Sequence, residues 1–296
     1  MSTAYEIDEL AYLSPRDFAN SYVRPARPVV VRGALDACPA ARDWTLEYLR
    51  RNAGAYSASL KRWIGGGIRV EQMPMSDYLD EIDRYEDAKN TGREQEPPAY
   101  LHDVPLTSVF SRAARDLASF PRDFFPSWYG ADWTSFAQMF LGPTASVTPL
   151  HFDCLLTHNL FFQVWGRKRF TLLPYRELQR CYPYDWRWCE VDVEDPAHDR
   201  YPLFRDATRA VVVVGPGDVL YMPPGTLHHV KSLDCALSFN VDWHTKSSAI
   251  KGVLALARGM PIENVYYNAL VALGMWMNIP ARRVLPYYKA YLNYVS

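Results

Sequence analysis

A histidine and an aspartate two residues apart are the residues of this chain best suited to chemistry. They are His151 and Asp153, and a further histidine lies far downstream at His228. On a β-strand, side chains at positions i and i+2 point to the same face, so His151 and Asp153 can reach one metal ion. Two histidines and one carboxylate form the facial triad of non-haem Fe(II) sites, which leaves coordination positions open for substrate and dioxygen.

The doublet His228-His229 leaves the third ligand ambiguous, and strand alternation separates the two residues. His228 shares a strand face with Val230, whereas His229 shares the opposite face with Lys231. A lysine usually faces solvent, so we predict that His228 points inward as the ligand and that His229 lies outside the metal site. The alternative is that His-x-Asp arose by chance and that both histidines are ordinary polar residues.

Two further polar residues alternate with apolar ones on predicted strands. Asn240 lies on the small or polar face of residues 235–243, which makes it a candidate for a ligand cavity or for a solvent-facing edge. Lys168 alternates with Phe170 and Leu172. A buried ammonium needs an anionic partner such as a bound carboxylate, but a lysine at the edge of a hairpin can also be solvated.

Short strands with frequent turns are predicted from about residue 133 onward, which indicates a sandwich or barrel. Glycine and arginine at 166–167 are predicted to form a hairpin tip between two of these strands. Residues 174–209, rich in Pro, Tyr, Trp and Asp, are a long insertion, and loops of that length are often functional. The predicted strands are 135–141, 146–153, 159–165, 168–173, 210–214, 218–222, 228–233 and 235–243.

Helical patterns flank the strands on both sides and suggest three parts. Residues 1–130 read as an α/β flank that packs on the core, including a helix at 107–119. Residues 131–245 form the predicted β core with the insertion 174–209. Residues 246–296 return to helical spacing.

Composition limits the class of protein. The chain has 296 residues, 49% of them apolar, enough for a real core. A formal net charge of -1 argues against an extended nucleic-acid surface. Five irregularly spaced cysteines and the absence of an 18-residue apolar stretch predict a reduced, cytoplasmic chain with no membrane partner.

These motifs, in one order over residues 146–243, resemble the JmjC-type 2-oxoglutarate-dependent oxygenases of the cupin-like group. Within this group, the sequence most resembles the asparaginyl hydroxylase that inhibits hypoxia-inducible factor. The resemblance implies a mainly β fold with flanking helices: a double-stranded β-helix (jelly-roll or cupin) core, helical N-terminal elements and a C-terminal helical segment. The matching stretches are 148–153, 159–169, 181–184, 191–196 and 214–223.

The resemblance also implies roles for individual residues and a set of cofactors: Fe(II), 2-oxoglutarate as cosubstrate, and O2. His151, Asp153 and His228 would ligate Fe(II). Lys168 would bind the distal carboxylate of 2-oxoglutarate. Four further residues would line or touch the cosubstrate pocket, namely Thr148, Asn159, Asn240 and Tyr100.

The family's insertion touches substrate at the position of Arg187 and Trp188. The asparaginyl hydroxylase carries an amide side chain where this chain has Trp188, so the substrate can differ. We expect hydroxylation of a peptide or protein side chain laid across the barrel mouth. A small molecule, a tRNA base, demethylation and a catalytically silent binding module remain alternatives.

The aromatic and apolar residues of 246–296 predict a homodimer formed by this C-terminal helical segment. Three short helices cannot bury so many large side chains alone, and apolar patches usually mark contacts. The resemblance also points to C-terminal dimerisation, although the helices could simply cover the outer sheet. The residues concerned are Tyr266, Tyr267, Leu270, Leu273, Met275, Trp276, Tyr287, Tyr288 and Tyr291.

Overall fold

The computed structural model describes residues 5–64, 67–284 and 286–287, which form two β-sheets with helices around them. Tyr288 and Tyr291, named above for dimerisation, lie outside the described residues. The strands are β1 (Asp8–Leu10), β2 (Val29–Val31), β3 (Ser57–Ile64), β4 (Gly67–Pro74), β5 (Tyr100–Pro105), β6 (Ala137–Gly142), β7 (Val147–His151), β8 (His158–Trp165), β9 (Lys168–Leu173), β10 (Pro183–Tyr184), β11 (Trp188–Cys189), β12 (Ala210–Val214), β13 (Val219–Met222), β14 (Leu227–Ser232) and β15 (Ala236–Trp243).

The helices lie mostly at the two ends of the chain. The α-helices are α1 (Pro15–Phe18), α2 (Pro39–Asp43), α3 (Leu46–Ala53), α4 (Met75–Asn90), α5 (Leu106–Val109), α6 (Ala113–Asp116), α7 (Lys246–Leu254) and α8 (Ile262–Trp276). A π-helix covers Ala19–Val23, and 3-10 helices cover Arg122–Phe124, Gly130–Phe136, Tyr175–Cys181, Pro202–Asp206 and Ala255–Arg258. Within the part of the chain that the structure describes, none of the helices combines the length and the apolar composition that a membrane-spanning segment requires.

The two sheets confirm a mainly β fold with flanking helices and a jelly-roll core. The larger sheet has the order β1-β2-β13-β8-β15-β6-β5-β3-β4, and the smaller has β10-β11-β7-β14-β9-β12. From β6 to β9 and again from β12 to β15, consecutive strands alternate between the two sheets, so β8 and β9 do not pair with each other. Both β7 and β14 lie in the smaller sheet, while β15 and β6 face them from the larger one.

Strand alternation explains why the elements form where they do. In β15, Leu237, Phe239 and Val241 pack into the largest hydrophobic cluster, whereas Ser238 and Asn240 face the other way. That cluster also takes in side chains from α1, α3 and α4, so the helices of the N-terminal flank cover the outer face of the larger sheet.

Two local predictions are wrong. Gly166 and Arg167 do not form a hairpin tip, because β8 and β9 belong to different sheets and the turn carries the chain between them. Gly166 has φ 72°, and a Cβ there would lie 2.2 Å from the carbonyl oxygen of Cys235, so glycine is required. Residues 107–119 form no single helix, since Phe110 is extended between α5 and α6.

Candidate metal centre

Two paired strands carry the candidate metal ligands. His151 ends β7 and lies directly opposite His228 of β14, while Asp153 follows β7 after one residue. One ligand atom from each of the three side chains lies within 4.8 Å of the other two. The distance from His228 Nε2 to Asp153 Oδ1 is 3.8 Å. Among the described residues, these three form the one group of His, Cys, Asp or Glu suited to a metal ion.

Hydrogen bonds fix the orientation of both histidine rings. Nδ1 of His151 lies 2.8 Å from the carbonyl oxygen of Pro149, and Nδ1 of His228 lies 3.0 Å from that of Thr226. A carbonyl can only accept, so each Nδ1 carries the proton and each Nε2 keeps its lone pair for a metal. Burial lowers the pKa of His151 well below its usual value, which keeps that ring neutral as a ligand must be.

The carboxylate has an orienting partner too. Nδ2 of Asn159 on β8 donates to Asp153 Oδ2 at 3.1 Å, so Asn159 contacts one of the candidate ligands as well as lining the cavity. His229 points away from the triad, as strand alternation predicts. Its Nδ1 lies 3.9 Å from Glu194 Oε1 of the insertion, and the ring is buried rather than placed at a rim.

Lys168 lies inside the same cavity and is 1% exposed. Its Nζ donates to Tyr100 Oη and to Ser238 Oγ, both at 2.7 Å. The rings of Tyr100, Phe140 and Phe161 lie 5.3 to 5.6 Å from the ammonium. Burial lowers the pKa of Lys168 to about 7. No carboxylate of the described residues forms an ion pair with it, so its charge lacks the partner that a buried ammonium needs.

The remaining predicted residues line the same cavity. Thr148 of β7 is buried, and Asn240 of β15 donates from Nδ2 to Asp242 Oδ1 at 3.4 Å. The amide oxygens of Asn159 and Asn240 are buried and have no hydrogen-bond partner among the described residues. Both amide oxygens can therefore accept a hydrogen bond from a ligand or a water molecule in the cavity.

Arg187 and Trp188 also reach the cavity. The insertion is not an irregular loop, since β11 pairs with β7 and places Trp188 opposite His151. The two rings lie 4.8 Å apart, and the Arg187 guanidinium lies 4.7 Å from the Trp188 ring centre. The cavity has a volume of about 50 Å³, and Trp188 and Arg187 both form part of its wall.

Sequence reasoning missed three acidic or basic groups in the cavity. Asp242 lies two residues from Asn240 on the same face of β15, so the alternation that identified Asn240 could also have identified it. Burial raises the pKa of Asp242 well above its usual value. Asp103 and His102, from β5, also line the cavity. Burial raises the pKa of Asp103 and lowers that of His102 well below its usual range.

Comparison with known proteins agrees with this geometry. A family model described as a cupin-like domain matches residues 15–249. Lysine-specific demethylase 8 of Xenopus tropicalis is 27% identical over 241 residues, 80% of this chain and 52% of that protein. The 2-oxoglutarate and iron-dependent oxygenase JMJD4 of Gallus gallus is 25% identical, covering 80% of this chain and 59% of that protein.

The name of a third relative refers to tRNA and not to a protein substrate. The tRNA wybutosine-synthesizing protein 5 of Gallus gallus is 24% identical over 258 residues, 81% of this chain and 77% of that protein. The chain spans about half the length of most of the curated relatives it matches. The predicted resemblance to JmjC-type cupin-like proteins is confirmed, while the particular likeness to the asparaginyl hydroxylase stays a prediction.

Proposed function

This chain belongs to the family of cupin-like domains, and from that premise we propose that it is an Fe(II)- and 2-oxoglutarate-dependent oxygenase. The observation that carries the proposal is the single cavity that joins the His151, Asp153 and His228 triad to an unpaired, buried Lys168. The triad is suited to bind a metal ion, and a dianion in the same cavity would supply the negatively charged partner that Lys168 lacks. Relatives named as a 2-oxoglutarate and iron-dependent oxygenase and as demethylases support the same chemistry.

Each cavity residue then has a defined task. His151, Asp153 and His228 would hold Fe(II), and Asn159 would orient the aspartate through its amide. Lys168 of β9 and Thr148 of β7, which line the same cavity, would bind the distal carboxylate of 2-oxoglutarate, and Tyr100 would hold the ammonium in place. Iron and 2-oxoglutarate, when bound, supply oxidation of a C–H bond by dioxygen with release of succinate and carbon dioxide. Phe140, Phe161 and Trp188 would exclude water.

The substrate we propose is a side chain of a peptide or protein. Arg187 and Trp188 lie at the cavity on the insertion, and planar cationic and aromatic groups are enriched at recognition surfaces. Relatives named as lysine-specific and arginine-specific demethylases support a protein substrate. Two acids of the insertion form ion pairs within the chain, since Glu194 pairs with Lys231 and Arg169, and Glu190 with Arg200.

A nucleic-acid or small-molecule substrate is the second candidate, favoured by the relative named as a tRNA wybutosine-synthesizing protein. A demethylated product is a third outcome of the same chemistry. Incubating the iron-loaded chain with a peptide pool, and separately with tRNA, and searching by mass spectrometry for a product 16 Da heavier or a methyl group lighter distinguishes them. An unchanged peptide pool with modified tRNA would contradict the peptide proposal.

Arg187→Ala and Trp188→Ala are expected to lower kcat/KM for the peptide substrate by at least about tenfold, the loss typical of a binding hot spot. Neither residue is a metal ligand, so iron binding and substrate-independent 2-oxoglutarate consumption are expected to persist. The measurement is succinate formation with and without peptide. Loss of iron or of folding in these variants would instead indicate that the insertion is a structural lid.

We also propose that the chain forms a homodimer through its C-terminal helical segment. Tyr266, Leu270 and Leu273 follow helical spacing along one side of α8, and Met277 follows directly after the helix; Tyr266, Leu273 and Met277 are more than half exposed. The sequence pattern also assigns Met275 to this surface. That assignment is wrong, because the Met275 side chain is only 5% exposed. Light scattering is expected to give twice the chain mass of 34.0 kDa, and Leu273→Glu is expected to give the single-chain mass. A wild-type mass near 34.0 kDa would contradict the dimer.

A further inference from the structure

A second pocket lies apart from the metal cavity and shares no lining residue with it. Its volume is about 560 Å³, within the range of about 300–1,000 Å³ usual for small-molecule sites. It is bounded by α7, by the turn before His228 and by the segment that follows Asp153. The lining residues used below are Arg24, His158, Ser247, Lys251 and Arg258.

The charges around this pocket are all positive. Arg24, Lys251 and Arg258 line it, and no aspartate or glutamate does. None of the three forms an ion pair with a carboxylate among the described residues. The three cationic side chains repel one another across the pocket. An anion bound between them would be attracted to all three and would offset that repulsion.

A buried, neutral histidine also lines the pocket. His158 is 5% exposed, and its Nδ1 lies 2.7 Å from Tyr221 Oη. The buried Tyr221 hydroxyl has no other partner among the described residues, so we assign its proton to the hydrogen bond with Nδ1, which satisfies that hydroxyl. Burial lowers the pKa of His158 to about 3, so the ring is neutral. Its single remaining proton is then on Nε2, which has no protein acceptor among the described residues.

The start of α7 adds further donors. Thr245 caps this nine-residue helix through a capping box with Ser248, and Ser247 also lines the pocket. The first turn of a helix carries a partial positive charge and free N–H groups, which favour an anion nearby. The partial positive charge at the start of α7 therefore favours an anion in the pocket, as the three cationic side chains and the His158 donor also do.

We propose that this pocket binds a small oxyanion, a phosphate- or carboxylate-bearing molecule with at least two negative charges. Three cations without partners and a buried imidazole N–H form its recognition set. The site also touches the segments that carry the metal ligands, through Leu156 after Asp153 and Gly225 before His228. Both residues have positive φ, 56° and 78°, so these are tight turns against which the anion would rest.

Calorimetry on the full, metal-free chain in the presence of EDTA tests the proposal, with inorganic pyrophosphate and citrate as probes. The variant Lys251→Gln/Arg258→Gln removes two of the three charges. Lys89→Gln/Arg84→Gln is its matched control, since it removes the same charges from the exposed face of α4. Charge-assisted hydrogen bonds are strong enough that the pocket variant is expected to bind at least about tenfold more weakly, with the control unchanged.

Saturable binding of pyrophosphate alone assigns the site to phosphate, and binding of citrate alone assigns it to carboxylates; either supports the proposal. No saturable binding of either probe at millimolar concentration would overturn it. An equal loss of anion affinity in both double variants would also overturn it. That result would mean that the anion responds to the overall charge of the protein and not to the pocket. Iron binding by the same pocket variant checks that it is folded, and it keeps this test separate from that of the proposed oxygenase.

Discussion

Replacing His151, Asp153 or His228 by alanine is expected to abolish specific Fe(II) binding and all 2-oxoglutarate turnover. Changing a residue that only orients a ligand typically costs about 10–100-fold in metal affinity, so the loss of a ligand is expected to cost at least about 100-fold. Asn159→Ala should weaken metal binding by only about 10–100-fold, because Asn159 acts on the metal site by orienting Asp153. Anaerobic metal titration followed by calorimetry measures each constant.

His229→Ala is the matched control for this series. It removes the same kind of ring from the next position of β14, yet His229 faces Glu194 and not the triad. We expect its iron affinity to stay within a few-fold of wild type. Equal iron loading in wild type and in all three ligand variants, or a loss in His229→Ala as large as in His228→Ala, would contradict the assignment.

Lys168→Ala is expected to raise the apparent 2-oxoglutarate dissociation constant by on the order of a hundredfold or more. Leaving one member of a buried ion pair without its partner costs about 3–5 kcal/mol, and about 1.4 kcal/mol corresponds to a factor of ten. Lys231→Ala is the control, since that lysine lies on the outer face of β14 beside Glu194. An unchanged constant in Lys168→Ala would mean that another cation, such as Arg167 or Arg169, holds the carboxylate.

The pH dependence of 2-oxoglutarate binding gives an independent check on Lys168. Burial lowers the pKa of the free ammonium to about 7, and a bound dianion raises it again because the charged form gains a partner. Above pH 7 the lysine must therefore take up a proton when the ligand binds. The wild-type dissociation constant should increase from pH 7 to pH 9, and the Lys168→Ala constant should not follow that trend. A flat wild-type profile would contradict the pairing.

Much of the site could be predicted because strand alternation has a period of two. A buried face allows one register, so the side of β14 that carries His228 and the side of β15 that carries Asn240 follow from their apolar neighbours. Predicted strand bounds from 135 to 243 agree with the structure to within one or two residues. Alternation says nothing about which sheet a strand joins, which is why the turn at Gly166 was misread as a hairpin.

Residues outside the β core were harder to predict. The strand β4 is exposed along most of its length, so it has no buried apolar face from which alternation could identify it. Asp103 reaches the cavity at a left-handed φ of 68° next to a bulged register between β5 and β6. A bulge redirects side chains in a way that periodicity cannot anticipate.

The most direct test of the central claim follows labelled 2-oxoglutarate by NMR in the presence of the purified chain, Fe(II), O2 and a peptide pool. The account predicts succinate formation that stops when Fe(II) or O2 is withheld and that is lost in Asp153→Ala, while His229→Ala keeps it. A wild-type chain that binds one Fe(II) per molecule but converts no 2-oxoglutarate under these conditions would contradict the account, and would indicate a catalytically silent binding module.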